Sequence, residues 1–295
     1  MKFGKILFNT RFKDNAISAL EEMTDLRAIG LKEVVLVYVI PRDSVAFVPY
    51  GGYQKEKELE IKKKVSDKFE KWVDVLAKKG VKSKIRIEVG MPNAVILSVA
   101  EKEKVDIIVA GSKKRSLLEK VYVGTHLLDL ARRSPIPILM NKYLAEYEKD
   151  GEIITKVNEH IFDRPMIATD WSCPSGNALE ALISLKGLAS KIIVAHNIGF
   201  KITKAMSPAQ FKEIKKESRK RLEEYQNRLK EVGIDSETSL TSGRTVPELI
   251  NVSRKHNASM IVMGRTGKDW LSQYWLGGVS HRIAETSELP VLLIP

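Results

Sequence analysis

The chain has 295 residues, of which 43% are hydrophobic and 29% are charged, so it carries enough apolar material for folded cores and is not mainly disordered. Its longest apolar runs, such as Val34 to Ile40, are far shorter than the roughly 20 residues that a membrane span needs, and one cysteine, Cys173, excludes an internal disulfide framework. The net charge of +12 lies mostly in residues 1–142, which hold 28 basic and 18 acidic side chains. We expect a soluble, cytoplasmic protein of two domains.

The predicted elements begin with a short strand over Met1 to Thr10, which lacks the apolar segment and cleavage site of a signal peptide. The remainder of a first domain, residues 1–142, alternates strands and helices and ends with a strand over Ile136 to Met140. Residues 143–163 are charged and lack a clear core stripe, so we assign them to a linker with a short helix or strand of its own. Residues 164–295 form the second domain.

The second domain repeats this alternation. Its predicted elements are a strand over Met166 to Thr169, a helix over Gly176 to Leu188, a strand over Lys191 to Ala195, a long helix through Phe211 and Val232, a strand before Gly243, a helix over Val246 to Lys255, a strand over Met260 to Met263, a helix over Ser280 to Thr286 and a strand over Pro290 to Ile294. Short β-branched runs between helices are typical of strands buried on both faces of a parallel sheet. Right-handed crossovers then predict a doubly wound α/β fold in each domain.

The two domains are an internal repeat. Gly90 to Pro137 aligns with Gly243 to Pro290 without a gap at an offset of 153, and eleven of the 48 pairs are identical. Because a duplicated unit presents equivalent apolar faces, the two copies are expected to pack as a pseudo-twofold pair through their last strands. The sequence leaves open whether two whole chains associate further.

A glycine-rich motif follows the fourth strand of the second domain. Gly264 and Gly267 can adopt positive φ and let the backbone approach a ligand, and Gly277 and Gly278 leave bare amides at the start of a helix, where anions are favoured. Ser280 offers a hydroxyl, and Arg265 and Lys268 offer positive charge. This pattern is typical either of a polyphosphate site or of a flexible loop between a strand and a helix.

Asp170 ends the first strand of the second domain. In open α/β sheets ligands bind at the carboxyl ends of the strands, where the strand order reverses. If the first and fourth strands are neighbours there, Asp170 faces the glycine motif and contacts the base or sugar hydroxyls of a nucleotide, since phosphate would repel it. The alternative is a helix N-cap, which Asp170, Ser172 and Pro174 also fit.

Thr169-Asp170 after the first strand and Gly264, Gly267 and Gly277 after the fourth resemble the signature of the universal stress protein family in its tandem form. The resemblance covers nearly the whole chain and implies two five-stranded parallel sheets of order 3-2-1-4-5, like those of adenine nucleotide alpha hydrolases. It also implies binding of ATP, with or without Mg²⁺, and a role in stress responses. The nucleotide-binding residues implied by position, together with the cation Arg265, are Ala168, Thr169, Asp170, Asn197, Met263, Gly264, Arg265, Gly267, Gly277, Gly278, Val279 and Ser280.

Two of these positions depart from the family pattern. Gly278 stands where Ser or Thr is usual, which removes a hydroxyl but keeps the amide. Asn197 stands where a small apolar residue usually contacts adenine.

The first domain departs further from the signature. Arg11 replaces the aspartate, and Lys114 replaces the second glycine, whereas Gly124 remains. We interpret this domain as a scaffold with a degenerate site, and the alternative is a basic patch of Arg11, Lys113, Lys114 and Arg115 for another anion or for nucleic acid. We expect nucleic-acid binding to be weak and non-specific, because no aromatic stacking platform accompanies the charge.

The leading hypothesis is therefore a regulatory ATP-binding protein whose second domain holds the nucleotide. One alternative is a slow ATPase or another adenine-nucleotide hydrolase, and a third is an interaction protein that binds no nucleotide. The five histidines lack metal-ligand spacing, and Cys173 has no histidine beside it in sequence. The sequence therefore indicates no catalytic residue and no metal ligand.

Overall fold

The computed structural model describes residues 2–12, 15–47, 52–111, 125–149, 151–265 and 278–295. We call residues 1–142 the first half, residues 143–163 the connection and residues 164–295 the second half. In the parts of the chain that are described, no helix combines the length and the apolar character needed to cross a membrane.

The first half consists of alternating strands and helices, followed by a hairpin in the connection. In chain order these are β1 (Lys5–Asn9), α1 (Ala16–Met23), β2 (Glu33–Pro41), β3 (Ala46–Phe47), β4 (Gly52–Tyr53), α2 (Lys55–Lys78), β5 (Lys82–Gly90), α3 (Pro92–Glu103), β6 (Ile107–Gly111), α4 (Thr125–Arg133), β7 (Ile138–Asn141), and then β8 (Leu144–Lys149) and β9 (Glu152–Val157) in the connection.

The second half repeats the order of the five sheet strands, with a short helix where the first half has β3 and β4. Its elements are β10 (Pro165–Ala168), α5 (Cys173–Ile183), β11 (Ile192–Gly199), α6 (Phe200–Lys204), α7 (Pro208–Glu231), β12 (Ser236–Gly243), α8 (Thr245–Lys255), β13 (Met260–Gly264), α9 (Gly278–Thr286) and β14 (Val291–Ile294). Relative to the sequence prediction, α5 begins and ends earlier and β11 is longer. The connection, predicted as a linker, carries the antiparallel β8–β9 hairpin.

The two halves share one sheet of ten strands in the order β12-β11-β10-β13-β14-β7-β6-β1-β2-β5. Within each half the pairing is parallel, and the strands follow the predicted order 3-2-1-4-5. The fold class predicted from the sequence, two tandem doubly wound α/β units, is confirmed. The halves join through the last strand of each, because β14 and β7 pair antiparallel with Leu292 opposite Leu139.

The core lies on both faces of this sheet. Side chains alternate along each strand, so that Ile167 of β10 belongs to one buried cluster, whereas Met166 and Ala168 belong to the other. Helices α1, α2, α5 and α7 supply buried residues to the first cluster, and α3, α4, α8 and α9 supply them to the second. The strands can be apolar throughout because both of their faces are covered.

Lys142 fastens the end of the first half to the second half. Its side chain is buried, and its Nζ donates hydrogen bonds to the carbonyl oxygens of Ala284 at 2.8 Å and Ser287 at 2.6 Å, at the carboxyl end of α9. A cation at this end of a helix satisfies open carbonyls and complements the helix dipole. The junction of the halves therefore combines the hydrogen bonds of Lys142 with the apolar pairing of β7 and β14.

An ion cluster surrounds Glu103 at the end of α3. The buried carboxylate accepts hydrogen bonds from the ammonium groups of Lys5 and Lys84 and from the guanidinium of Arg86. The bond from Lys84, together with those from Lys5 and Arg86, lowers the pKa of Glu103 to about 2, against the opposing effect of burial. This carboxylate stays ionised across the physiological pH range.

Candidate functional site

The carboxyl ends of β10 and β13 lie side by side, and they form the floor of the candidate site. Ala168 of β10 is in register with Met263 of β13, and both side chains are buried. On its other side β10 pairs with β11, whose Ala195 is opposite Ala168. Strand order reverses at β10, which is where open α/β sheets place a ligand.

Asp170 lies just beyond β10, in a turn that leads into α5. Its Oδ1 accepts hydrogen bonds from the backbone N–H of Ser172 at 3.0 Å, from the Ser172 hydroxyl and from the Ser175 hydroxyl at 2.7 Å. Its Oδ2 has no hydrogen-bond partner among the described residues. The described residues therefore hold Asp170 through one of its two carboxylate oxygens.

The helix N-cap is Ser172 rather than Asp170. The Ser172 side chain accepts a hydrogen bond from the backbone N–H of Ser175, and Pro174 occupies the first turn. Asp170 therefore holds the capping serine and does not cap the helix itself. Sequence reasoning missed Ser172 and Ser175 as the residues that position Asp170, although the spacing Asp-x-Ser-x-x-Ser was the signal for them.

Thr169 and Trp171 shape the same turn. The buried Thr169 hydroxyl accepts a hydrogen bond from the backbone N–H of Trp171 at 3.1 Å, and Trp171 has φ of 66°. The Trp171 ring packs on His196, with ring centroids 4.6 Å apart, and meets Tyr225 edge-on. His196 also lies 2.8 Å from the Thr169 carbonyl through its Nδ1. His196 is thus a packed residue at the rim of the site.

Gly264 ends β13 against the start of α5. A Cβ at this position would lie 2.7 Å from the Pro174 Cβ and 3.0 Å from the Ser175 nitrogen. At these distances any larger side chain would clash with the start of α5. Its φ does not lie in the left-handed region, so the conformational freedom of glycine is not used at this position. The glycine is required because helix and strand approach so closely.

Arg265 points away from the second half. Its Nη1 donates to the carbonyl oxygen of Ser134 and lies 3.5 Å from that of Ala131, at the carboxyl end of α4 in the first half. Burial lowers the pKa of this guanidinium. The Arg265 cation therefore contacts the junction of the halves, and its predicted role of supplying charge to a phosphate stays a prediction.

The start of α9 closes the candidate site. The first residue, Gly278, is exposed, and no described residue lies within 4 Å of the place where its Cβ would be. Val279 is exposed, whereas Ser280 is buried and donates its hydroxyl proton to the Arg265 carbonyl at 2.7 Å, tying α9 to the end of β13. Gly267 and Gly277 lie outside the described residues.

Asn197 lies on β11, and neighbouring elements occupy its side chain. Its amide nitrogen donates to the Gly243 carbonyl and the Thr245 hydroxyl, and its Oδ1 accepts from the Thr241 hydroxyl at 2.9 Å. The side chain therefore fastens β11 to β12 and α8. The predicted contact of Asn197 with adenine stays a prediction.

The first half contains the same turn with different chemistry. The Thr10 hydroxyl accepts a hydrogen bond from the Phe12 N–H at 2.9 Å, and Phe12 has φ of 52°, as in the second half. Arg11, however, occupies the place of Asp170, and among the residues that the structure describes none lies within 4 Å of a Cβ built on Gly111, the counterpart of Gly264. The basic residues 113–115 lie outside the described residues.

The fold and the turn geometry thus define a duplicated doubly wound protein in which the same turn carries Arg11 in the first half and Asp170 in the second. The sequence model of the universal stress protein family matches residues 2–142 and 162–295. The chain belongs to the universal stress protein family.

Two curated relatives and one solved structure illustrate the similarity. Universal stress protein YxiE of Bacillus subtilis is 30% identical over 148 residues, covering 45% of this chain and 99% of that protein. Universal stress protein MJ0577 of Methanocaldococcus jannaschii is 29% identical over 154 residues, covering 48% of this chain and 95% of that protein. Each relative thus corresponds to about half of the chain.

A universal stress protein from Archaeoglobus fulgidus resembles the whole chain in fold. Its crystal structure superimposes with a TM-score of 0.71 at 20% identity, covering 99% of this chain and 96% of that one. The two-unit arrangement is therefore shared with a solved protein over nearly the full length of both.

Proposed function

We propose that the chain is a regulatory protein that binds one adenine nucleotide, ATP, in its second half, while the first half serves as a scaffold. The observation that carries this proposal is the state of Asp170, whose Oδ1 is held by Ser172 and Ser175 while its Oδ2 has no partner among the described residues. A carboxylate fixed in this way is a ready acceptor for sugar hydroxyls or for an amino group.

The start of α9 supplies the complementary anion-binding element. Backbone N–H groups in the first turn of a helix have no partner within the helix, and the dipole favours negative charge there. Because no described residue crowds Gly278, we propose that a phosphate reaches these amides there and that the glycine motif preceding the helix extends the contact. Gly267 and Gly277 are part of this proposal on sequence grounds.

The base and sugar would lie over the floor formed by Ala168 and Met263, with Thr169 and Asp170 at the edge. Mg²⁺ prefers oxygen ligands and commonly binds through substrate phosphates with one or two carboxylates. The described residues of the site fit this only with Asp170 as a carboxylate, so we propose that Mg²⁺ enters with the nucleotide and is held mainly by its phosphates. It would neutralise phosphate charge in the bound complex.

Calorimetry with ATP tests the proposal. The protein should bind one ATP per chain, and Asp170→Asn should weaken binding about ten- to a hundred-fold, because a hydrogen bond to a charged group is lost. Asparagine keeps an oxygen for the two serine hydroxyls, so the turn should survive. Gly267→Lys, which copies the loop of the first half, should also weaken binding.

The matched control is Arg11→Asn, which changes the equivalent position in the first half and should leave the affinity unchanged. Two ATP molecules per chain, full affinity in Asp170→Asn, or an absence of ATP binding would overturn the proposal. A turnover assay with ATP and Mg²⁺ then distinguishes a regulatory binder, which releases ATP intact, from a hydrolase.

A further inference from the structure

Three side chains that commonly ligate metal ions meet where α1 ends. Glu22 lies in the last turn of α1, Asp25 follows in the next turn, and His160 belongs to the connection between the halves. One ligand atom from each lies within 4.8 Å of the others. The backbone N–H of His160 also donates to Glu22 Oε2 at 2.7 Å, which holds the connection against the helix.

The charges at this place are unbalanced. Asp25 and Glu159 place negative charge near the Glu22 carboxylate, and the hydrogen bond from the His160 N–H offsets this only in part. In the described part of the chain, no lysine or arginine forms an ion pair with Glu22, Asp25 or Glu159, although the chain carries a net charge of +12. A bound cation would relieve this repulsion.

We propose that Glu22, Asp25 and His160 form a binding site for a divalent transition-metal ion of the Zn²⁺ class. An imidazole nitrogen with two carboxylate oxygens suits Zn²⁺ and its neighbours, whereas Mg²⁺ and Ca²⁺ prefer oxygen ligands alone. Four-coordinate Zn²⁺ with bonds of about 2.0 Å requires ligand atoms about 3.3 Å apart, with water in the fourth position. The exposed side chains of Asp25 and His160 can close this distance by rotamer changes.

Such an ion would cross-link two segments that are far apart in sequence. Glu22 and His160 are 138 positions apart, so the ion would clamp the connection onto the first half. The same separation explains why no spacing of histidines in the sequence indicated a metal ligand. The site is separate from the proposed nucleotide site in the second half.

Titration with metal alone tests the site. Protein treated with a chelator and freed of nucleotide is titrated with Zn²⁺ by calorimetry, and with Co²⁺ by visible absorption, which reports the coordination of the ion. We expect one Zn²⁺ per chain, at least a ten-fold loss of affinity in His160→Ala and in Asp25→Asn, and a rise in the melting temperature of the wild type on addition of Zn²⁺.

Two control variants distinguish the proposed site from other surface groups that bind Zn²⁺. His281→Ala removes a histidine that has one carboxylate neighbour, Glu285 at 3.8 Å, and Cys173→Ser removes the exposed thiol. Both should retain the affinity of the wild type. Equal Zn²⁺ affinity in the wild type and in a His160→Ala, Asp25→Asn double variant would overturn the proposal, as would an equal loss of affinity in His281→Ala.

Discussion

Lys142 and Arg265 each donate hydrogen bonds to the carbonyl oxygens at the end of a helix in the opposite half of the molecule. Lys142 of the first half binds the carbonyls of Ala284 and Ser287, and Arg265 of the second half binds those of Ala131 and Ser134. The capped residues are repeat equivalents, 153 positions apart, but the capping residues are not, because Lys142 follows a fifth strand and Arg265 a fourth. In this pseudo-twofold contact the accepting carbonyl groups therefore occupy equivalent positions of the repeat, whereas the donating side chains, Lys142 and Arg265, do not.

Removing either cation should destabilise the whole chain. Lys142→Met and Arg265→Met keep an apolar stem but leave helix-end carbonyls without a charged donor, so each should lower the free energy of unfolding by about 1.5–3 kcal/mol. Urea denaturation measures this. Lys64→Met, at an exposed ion pair with Glu60, is the control and should change stability by no more than about 0.5 kcal/mol. A loss in Lys142→Met as small as in this control would contradict the interpretation.

Gly264→Ala should be destabilising, whereas Gly111→Ala should be nearly neutral. The added methyl group at residue 264 would overlap with Pro174 and Ser175 and force α5 away from β13, at a cost of about 1–3 kcal/mol. At residue 111 no atom of the described part of the chain lies within 4 Å of the new methyl group. Paired thermal or urea unfolding of the two variants measures the difference, and similar losses in both would show that close packing is not what requires the glycine.

The ion cluster around Glu103 should make stability dependent on pH in the acid range. The pKa of Glu103 is about 2 in the folded protein and near its ordinary value of 4.5 in the unfolded chain, so the unfolded state binds the proton first. The contribution of this group is present above about pH 4.5 and is lost as the pH falls toward 2. Unfolding experiments across this range should show less acid dependence in Glu103→Gln than in the wild type.

The same substitution should lower stability at neutral pH by about 1–3 kcal/mol, because it leaves Lys5, Lys84 and Arg86 without the carboxylate that they share. Glu60→Gln, at an exposed ion pair, is the control. Identical pH profiles for the wild type and Glu103→Gln would show that the cluster does not couple protonation to folding.

The two halves should unfold together. The pairing of Leu139 with Leu292 makes the sheet continuous, so native-state hydrogen exchange should give the same opening free energy for core amides of β1 and β10. Leu292→Ala, which removes buried apolar volume at the junction, should lower both values by about 2–5 kcal/mol. A loss confined to β10 would mean that each half is an independent folding unit.

Much of the architecture could be predicted from the sequence because it depends on local patterns. The apolar run Met260 to Met263 and the glycines that follow it indicate a buried strand ending in a loop, and the repeat extends this prediction to the first half. The position of Asp170 at a strand end indicates a ligand site for the same reason. These features need only the periodicity of the chain and the rules of parallel sheets.

The remaining features depend on contacts between distant segments. Residue 264 must be a glycine because Pro174 lies close to it. The side chain of Arg265 is directed by the end of α4. The Asn197 amide is hydrogen-bonded to residues more than forty positions away. No local pattern encodes those neighbours. They decide what individual side chains of the candidate site contact, while the location of a ligand between β10 and β13 stays a prediction.

The antiparallel pairing of β7 with β14 has a consequence for how the molecule responds to dilution. Separate subunits that meet through such strands dissociate as their concentration falls, whereas two strands of one chain remain at a fixed effective concentration. The paired arrangement of this protein therefore persists at any cellular abundance. A signal that changes only the number of copies would leave the junction intact.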